Sequence, residues 1–301
     1  MKQSDSPPEM EFFESARPPQ GERTFHLQIA DLALQLGGLG HELCDRLEER
    51  FARFSGRGGG RSPDLRVELG VEDTDYFITP ARQGELNRVL LDLDDGIVRY
   101  LGYRVAGWFD SAGGRGQILL AGGDYEREDH AIENYVRAAV AWLAATRGGA
   151  LVHAASAVKD GRGFLFYGES GAGKSTLSAC NRRGRILSDD LSLVLPDPDG
   201  RPQVVGSPFR GTYEGGDVVC GRFPLAAGFR IVKDREVAVR RVPRVRALAE
   251  LVGNLPFVAE AFPRRPDLFE QVERTFAGCP LAHLHFRKDD TFWDAIEREG
   301  L

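Results

Sequence analysis

Gly168-Glu169-Ser170-Gly171-Ala172-Gly173-Lys174-Ser175, followed by Thr176, is a glycine-rich stretch that ends on an amine and two hydroxyls. The spacing G-x-x-x-x-G-K-S suits one task. Glycines let backbone N–H groups curl inward around phosphate oxygens, the lysine reaches the distal phosphates, and the serine hydroxyl ligates Mg2+. Phe164 to Tyr167 reads as a strand before the loop and the residues after it as a helix start, whose dipole adds to the attraction for an anion. The anion this points to is the tail of a nucleoside triphosphate.

Two acids follow closely. A short helix at about 176–181 leads into RRGRILSDDLSLVL, an apolar strand ending in Asp189 and Asp190. Behind a phosphate loop, an acid in this place holds the metal directly or through water. A pair permits a division of labour, one carboxylate serving Mg2+ and the other taking a proton from an incoming hydroxyl. The residues alone leave open which does which. Upstream, K-D-G-R at 159–162 reads as a hairpin turn. That register pairs Val158 with Gly163 and sets His153 opposite Gly168, at the mouth of the loop. An imidazole there can touch the terminal phosphate or orient the acid.

Weaker signals lie further on. His283 and His285 alternate in LAHLHF and share one face of a strand, but no third metal ligand stands nearby. FVAEAFPRRP at 257–266 reads either as part of an acceptor groove or as a core helix running into a loop.

Around these residues the chain organises into three parts. Residues 1–24 are polar and proline-rich and read as a mobile tail. Residues 25–149 carry strand-like pieces (TFHLQIADLALQL, DLRVELGV, RVLLDLDD, GIVRYLGYRV, GQILLAGG) around the helix HELCDRLEERFARF. They close on a second helix whose apolar stripe is Ile132, Tyr135, Val136, Ala139, Val140 and Leu143, stopped by the glycines at 148–149. Residues 150–301 alternate short strands and helices, from ALVHAASAV to a closing strand and helix in LAHLHFRKDDTFWDAIERE.

Composition narrows the classes. A net charge of −6 argues against a nucleic-acid or membrane-surface partner, since both favour a basic field. No run approaches the roughly 18 apolar residues that span a bilayer, and the acidic start MKQSDSPPEMEFFE has no signal-peptide core. Cys44, Cys180, Cys220 and Cys279 are scattered, which reads as free thiols in a reducing compartment. A cytoplasmic protein is expected. Only five residues are lysines, among them Lys174 and Lys233, so a lysine inside the glycine loop stands out.

The stretch LVHAASAVKDGRGFLFYGESGAGKSTLSACNRRGRILSDDLSL resembles the catalytic core of the HPr kinase/phosphorylase family. That family shares its fold with the ATP-dependent phosphoenolpyruvate carboxykinases. The shared pattern is a histidine on the strand before the hairpin, then G-[DE]-S-G-x-G-K-S, a short helix, and an apolar strand closing in D-D. The resemblance implies an α/β protein with a phosphoenolpyruvate-carboxykinase-like P-loop core and an N-terminal α+β accessory domain. It implies that His153 and Asp190 are catalytic, with Asp190 the proton acceptor, and that Lys174 binds and polarises the phosphates. Ser175 and Asp189 would serve Mg2+, the two aspartates being interchangeable in these roles. Glu214, in GSPFRGTYEGGD, stands at about the separation of the family's later metal-binding glutamate, although its neighbours differ. Arg210 in the same loop could contact phosphate or the acceptor. ATP and Mg2+ are the implied cofactors.

The resemblance is concentrated in about 40 residues, and the N-terminal region does not look like that of true HPr kinases. The arrangement is more similar to short HPr kinase-like proteins found beside peptide-modification genes, some of which phosphorylate a serine of a lasso-peptide precursor. The expected activity is transfer of the γ-phosphoryl group of ATP to a hydroxyl, foremost a serine of a peptide or protein. A homo-oligomer is compatible with the sequence. Two alternatives stay open: a nucleotide-dependent switch that hydrolyses ATP without transfer, and a kinase acting on a small metabolite. No LSGGQ-like signature or N-K-x-D element accompanies the loop, which sets aside transporter ATPases and guanine-reading GTPases.

Overall fold

The computed structural model describes residues 6–16, 21–56, 62–72, 77–78, 88–110, 112–122, 128–209, 211, 219–259, 265 and 267–301. They form a mixed α/β protein that divides into two compact units, Met1–Leu143 and Ala144–Leu301. The glycines at 148–149 suggest a boundary at the end of the long helix, whereas the units part within that helix.

Among the described residues the first unit has α1 (Met10–Glu14) and seven strands: β1 (Arg23–Ile29), β2 (Leu32–Leu39), β3 (Leu65–Glu72), β4 (Leu90–Asp94), β5 (Ile97–Gly102), β6 (Val105–Asp110) and β7 (Arg115–Ala121). They make one sheet in the order β1-β2-β3-β7-β6-β5-β4. β2, β3 and β7 run parallel. Parallel neighbours need a crossover, and α2 (His41–Arg50) supplies the one from β2 to β3. α2 is tied to α3 (Glu128–Thr146) by charge, Arg46 meeting Glu128 at 2.7 Å and Arg50 meeting the buried Asp129 at 3.0 Å.

Three expectations for this region need correction. GIVRYLGYRV reads as one strand, but β5 ends at Gly102, the chain turns through Tyr103 and Arg104 (φ 54°), and β6 begins at Val105. TFHLQIADLALQL reads as one strand but is a hairpin, with Ile29 paired to Leu32 and Ala30 at φ 51°. Neither glycine nor proline marks the turn, but the apolar phase shifts from Phe25, Leu27 and Ile29 to Leu32, Leu34 and Leu36 across Ala30-Asp31. Residues 6–16 read as part of a mobile tail, yet α1 buries Phe13 among Phe77, Ile78 and Leu101. Arg99 pairs with Glu9 and Asp92, fixing the start of α1 to the sheet. Adjacent Phe12 and Phe13 bring an apolar anchor that the polar average of the segment hides.

The second unit runs β8 (Ala150–Lys159), β9 (Arg162–Tyr167), α4 (Lys174–Cys180), β10 (Arg185–Ser188), β11 (Leu191–Pro196), β12 (Pro202–Val205), β13 (Arg222–Lys233), β14 (Ala238–Arg241), α5 (Arg244–Val252), α6 (Leu268–Thr275), β15 (Leu281–Phe286) and α7 (Phe292–Arg298). β8 is antiparallel to β9, β10 and β11. β13 pairs in parallel with β9 and β15 and antiparallel with β12. Since β12 also pairs β11, the ladder β8–β11–β12–β13–β9–β8 closes on itself.

Strand alternation sorts the side chains of β8 and β9 into two layers. Val152, Ala154, Val158, Leu165 and Tyr167 pack with Leu248 and Leu251 of α5 and Val272 of α6. Ala155, Ala157, Phe164 and Phe166 pack with Leu177 of α4 and with Phe292 and Trp293 of α7. His153 is in phase with Ala155 and Ala157, and so belongs to the layer that holds α4. Among the described residues no helix is long and apolar enough to cross a membrane. Cys44, Cys180, Cys220 and Cys279 are free thiols.

Candidate active site

The hairpin expected from K-D-G-R forms in the expected register. Asp160 and Gly161 take positive φ (52° and 74°). Val158 pairs Gly163 and Ala154 pairs Tyr167, where the pairing with β9 ends; the next residue, His153, donates its backbone N–H to the Asn254 carbonyl at 2.7 Å rather than pairing with Gly168. On the other edge of β8, His153 pairs Leu191, the first residue of β11. The histidine thus stands one residue beyond the last pair with β9, the strand that runs into the glycine loop, and opposite the residue that follows Asp190.

β10 and β11 share that second edge, Ser188 lying opposite Ser156 and Leu191 opposite His153. Asp189 and Asp190 therefore interrupt what is otherwise a single line of pairing. Ser188 bridges the interruption, its hydroxyl donating to the Leu191 carbonyl at 2.9 Å. The two acids, alike in sequence, end in different surroundings. Asp190 Oδ1 stands 3.3 Å from His153 Nε2, with the side chains 27% and 33% exposed. Asp189 is buried, and its Oδ1 accepts the Gly211 N–H at 3.0 Å. A Cβ added to Gly211 would come within 2.8 Å of Asp189 Oδ2 and 3.0 Å of Asp190 Cβ, so the 211 backbone closes over both acids.

The loop itself is built around Lys174, the first residue of α4. Its ammonium is buried and donates to the carbonyls of Gly168 (2.7 Å) and Glu169 (3.2 Å). Burial pushes the amine below the ordinary lysine value, while the neighbouring Asp190 carboxylate pulls the other way. Gly171 and Gly173 hold φ of 78° and 115°, a region that side chains resist. Nothing lies within 4 Å of where a Gly171 Cβ would stand, so conformation rather than crowding calls for glycine there. Leu177, fully buried, anchors α4 in the layer below.

Two cations beside the loop escape a reading of the sequence. β13 lies parallel to β9 with Arg230 paired to Tyr167, the last residue before the loop. A cleft results between Gly168–Ala172 on one side and Arg230, Ile231 and Lys233 on the other. A Cβ on Gly173 would have Lys233 Cε at 3.9 Å, which sets the lysine stem against the end of the loop. Arg230 approaches Glu169 (3.9 Å) and Glu250 of α5 (3.7 Å). The rarity of lysine was the one available signal for Lys233, and it singled out only Lys174.

Other candidates separate from this cluster. His283 binds Glu250 at 2.6 Å and His285 binds Asp234 at 2.7 Å, so each imidazole is held by an acid. Among the described residues no group of three or more His, Cys, Asp or Glu is arranged to hold a metal ion. Arg210 and Glu214 lie outside the described residues, as do 260–264 and 266 of FVAEAFPRRP. Of the remainder of that segment, Val258 is buried.

The donors that are present suit Mg2+, since Ser175 and Asp189 offer hard oxygen atoms only. Mg2+ typically takes one or two protein ligands and completes its shell with phosphate oxygens and water, which this sparse set allows. The positive-φ glycines and the inward lysine suit a polyphosphate in the same way. The chain matches no protein-family model, and no curated protein matches it significantly.

Proposed function

We propose that the chain is an ATP-dependent kinase that transfers the γ-phosphoryl group to a hydroxyl, foremost a serine of a peptide or protein. The observation that carries this reading is the 3.3 Å approach of His153 to Asp190, beside a glycine loop whose lysine senses the same carboxylate. A second, partly exposed carboxylate held against an imidazole is placed to take a proton from an incoming nucleophile. The acceptor test below separates an alcohol from water in that role.

In this reading Asp190, the more open acid, is the proton acceptor, and Asp189, buried against Gly211, is the metal-side acid. Mg2+ on Ser175 and Asp189 would neutralise charge on the phosphate tail. Asp190 takes the proton of the acceptor hydroxyl as that oxygen bonds to phosphorus, while the bond to the bridging oxygen breaks and ADP departs. His153 orients the Asp190 carboxylate, and Lys174 donates to phosphate oxygens in exchange for the loop carbonyls. With a loose transition state, most of the acceleration comes from this positioning and electrostatics.

The second unit would then be the phosphoenolpyruvate-carboxykinase-like core expected from the sequence, with the first unit accessory to it in a cytoplasmic protein. The test is ATP turnover with and without serine peptides, read by intact mass. One added phosphate that Asp190→Asn abolishes supports transfer. Steady ADP release with every acceptor unmodified would instead favour the switch.

A further inference from the structure

Arg230 is set apart from the other arginines of the second unit by its place on the cleft beside the glycine loop; its lack of a guanidinium hydrogen bond is shared by Arg241, which only approaches Glu299 at 3.6 Å. Arg183, Arg244, Arg246 and Arg265 each spend their guanidinium N–H groups on hydrogen bonds, to Glu297 (2.6 Å), Phe276 O (2.8 Å), Glu250 (3.0 Å) and Asp267 (2.7 Å). Arg230 makes none among the described residues. Its nearest carboxylate oxygens, at 3.7 Å on Glu250 and 3.9 Å on Glu169, lie beyond hydrogen-bond reach. It is 30% exposed and lines the cleft against the first half of the glycine loop. Its five donors are therefore unspent at the lip of an anion loop.

Its surroundings are arranged so that it can leave its present neighbours cheaply. Glu250 keeps its hydrogen bonds with His283 and Arg246 when Arg230 turns away, and gives up only the longer 3.7 Å contact. Glu169 is 87% exposed and can turn to water. Glu169 is also an acid in the loop itself, where it opposes an incoming anion unless a cation screens it.

We infer that Arg230, on β13 beside the glycine loop, is a phosphate-binding residue that screens Glu169 when no phosphate is bound and gives its guanidinium to phosphate oxygens when a polyphosphate enters. The inference rests on the nucleotide-binding reading above. A planar guanidinium matches phosphate bidentately, which a lysine at 230 would not reproduce.

Titration calorimetry with Mg-ATP and with Mg-tripolyphosphate, which lacks base and ribose, tests this on the full chain. Arg230→Ala should weaken both ligands to the same extent, by about tenfold to a hundredfold for a lost charge-assisted contact. Arg230→Lys should recover only part of the loss, and thermal melts of both variants report whether they fold. Glu169→Gln should tighten tripolyphosphate more in the presence of Arg230 than in Arg230→Ala, because the two compete for one guanidinium. Unchanged tripolyphosphate affinity in a folded Arg230→Ala protein overturns the inference while leaving nucleotide binding intact. A loss confined to ATP also overturns it, by assigning Arg230 to the nucleoside. If the wild-type chain and Lys174→Ala alike bind neither ligand, the nucleotide-binding reading falls and this inference with it.

Discussion

His153 Nε2 and Asp190 Oδ1 face each other at 3.3 Å, one on β8 and the other in the break between β10 and β11. For transfer chemistry this makes Asp190 the group whose loss stops the reaction. Asp190→Asn keeps shape but cannot accept a proton, and acceptor phosphorylation should fall by about a hundredfold to ten-thousandfold. Mg-ATP affinity should stay within a few-fold, measured by calorimetry on the same sample. A variant that retains near-normal transfer would remove Asp190 from the role of base.

Lys174 is a buried cation held by two loop carbonyls, and burial already works against its charge. Lys174→Met replaces it with an apolar chain of similar length. The ligand-free protein should melt at the same temperature or higher, since a desolvated charge is gone. Stabilisation by Mg-ATP should disappear. Paired melts with and without nucleotide check both halves, and a sharply destabilised ligand-free protein would contradict the first.

Gly211 is required by close approach. A methyl at 211 would press on Asp189 Oδ2 at 2.8 Å and Asp190 Cβ at 3.0 Å, so Gly211→Ala must move the acids or the 211 backbone. A shift near 1 Å at the reacting groups costs about a hundredfold in turnover. The contrasting variant is Gly40→Ala, at an ordinary φ of −70° with open space around it, which should leave turnover unaffected. Equal turnover in the two variants would mean that position 211 exerts no control over the acids.

Glu250 gives the second unit a pH dependence of known sign. Burial opposes its ionisation, but hydrogen bonds from His283 and Arg246 outweigh that cost and hold its carboxyl below the ordinary value. A depressed folded pKa contributes stability that is present above the unfolded value and is lost as pH falls through the folded one. Glu250→Gln should therefore cost about 1–2 kcal/mol at neutral pH, and the gap to wild type should close in acid. Chemical denaturation across pH checks this, and a gap that widens toward acid would reverse the sign.

How much of this was legible in the residues depends on how far apart along the chain the partners lie. The loop, α4 and the hairpin of β8 and β9 are local, so spacing and one turn gave the register from Val158–Gly163 to Ala154–Tyr167, whereas the bond from the His153 N–H to Asn254, distant in sequence, was not legible. The difference between Asp189 and Asp190 was not legible, because Gly211 and His153 create it from opposite directions in sequence. Arg230 and Lys233 were invisible for the same reason. They reach the loop through the parallel pairing of β13 with β9, and no local pattern announces a parallel neighbour. In the first unit, the bend at Ala30 was marked only by a one-residue shift of the apolar phase and by Asp31, with no glycine or proline, and a polar average hid Phe13.

β8 carries hydrogen-bonded neighbours along both edges, and this has a consequence for how descendants of the chain can vary. One residue inserted between 154 and 158 would rotate His153 into the opposite layer, away from α4 and Asp190. Lengthening the exposed turn at 197–200 would disturb no spacing between those groups. A lineage could therefore reshape its periphery freely while this one strand stayed frozen in length.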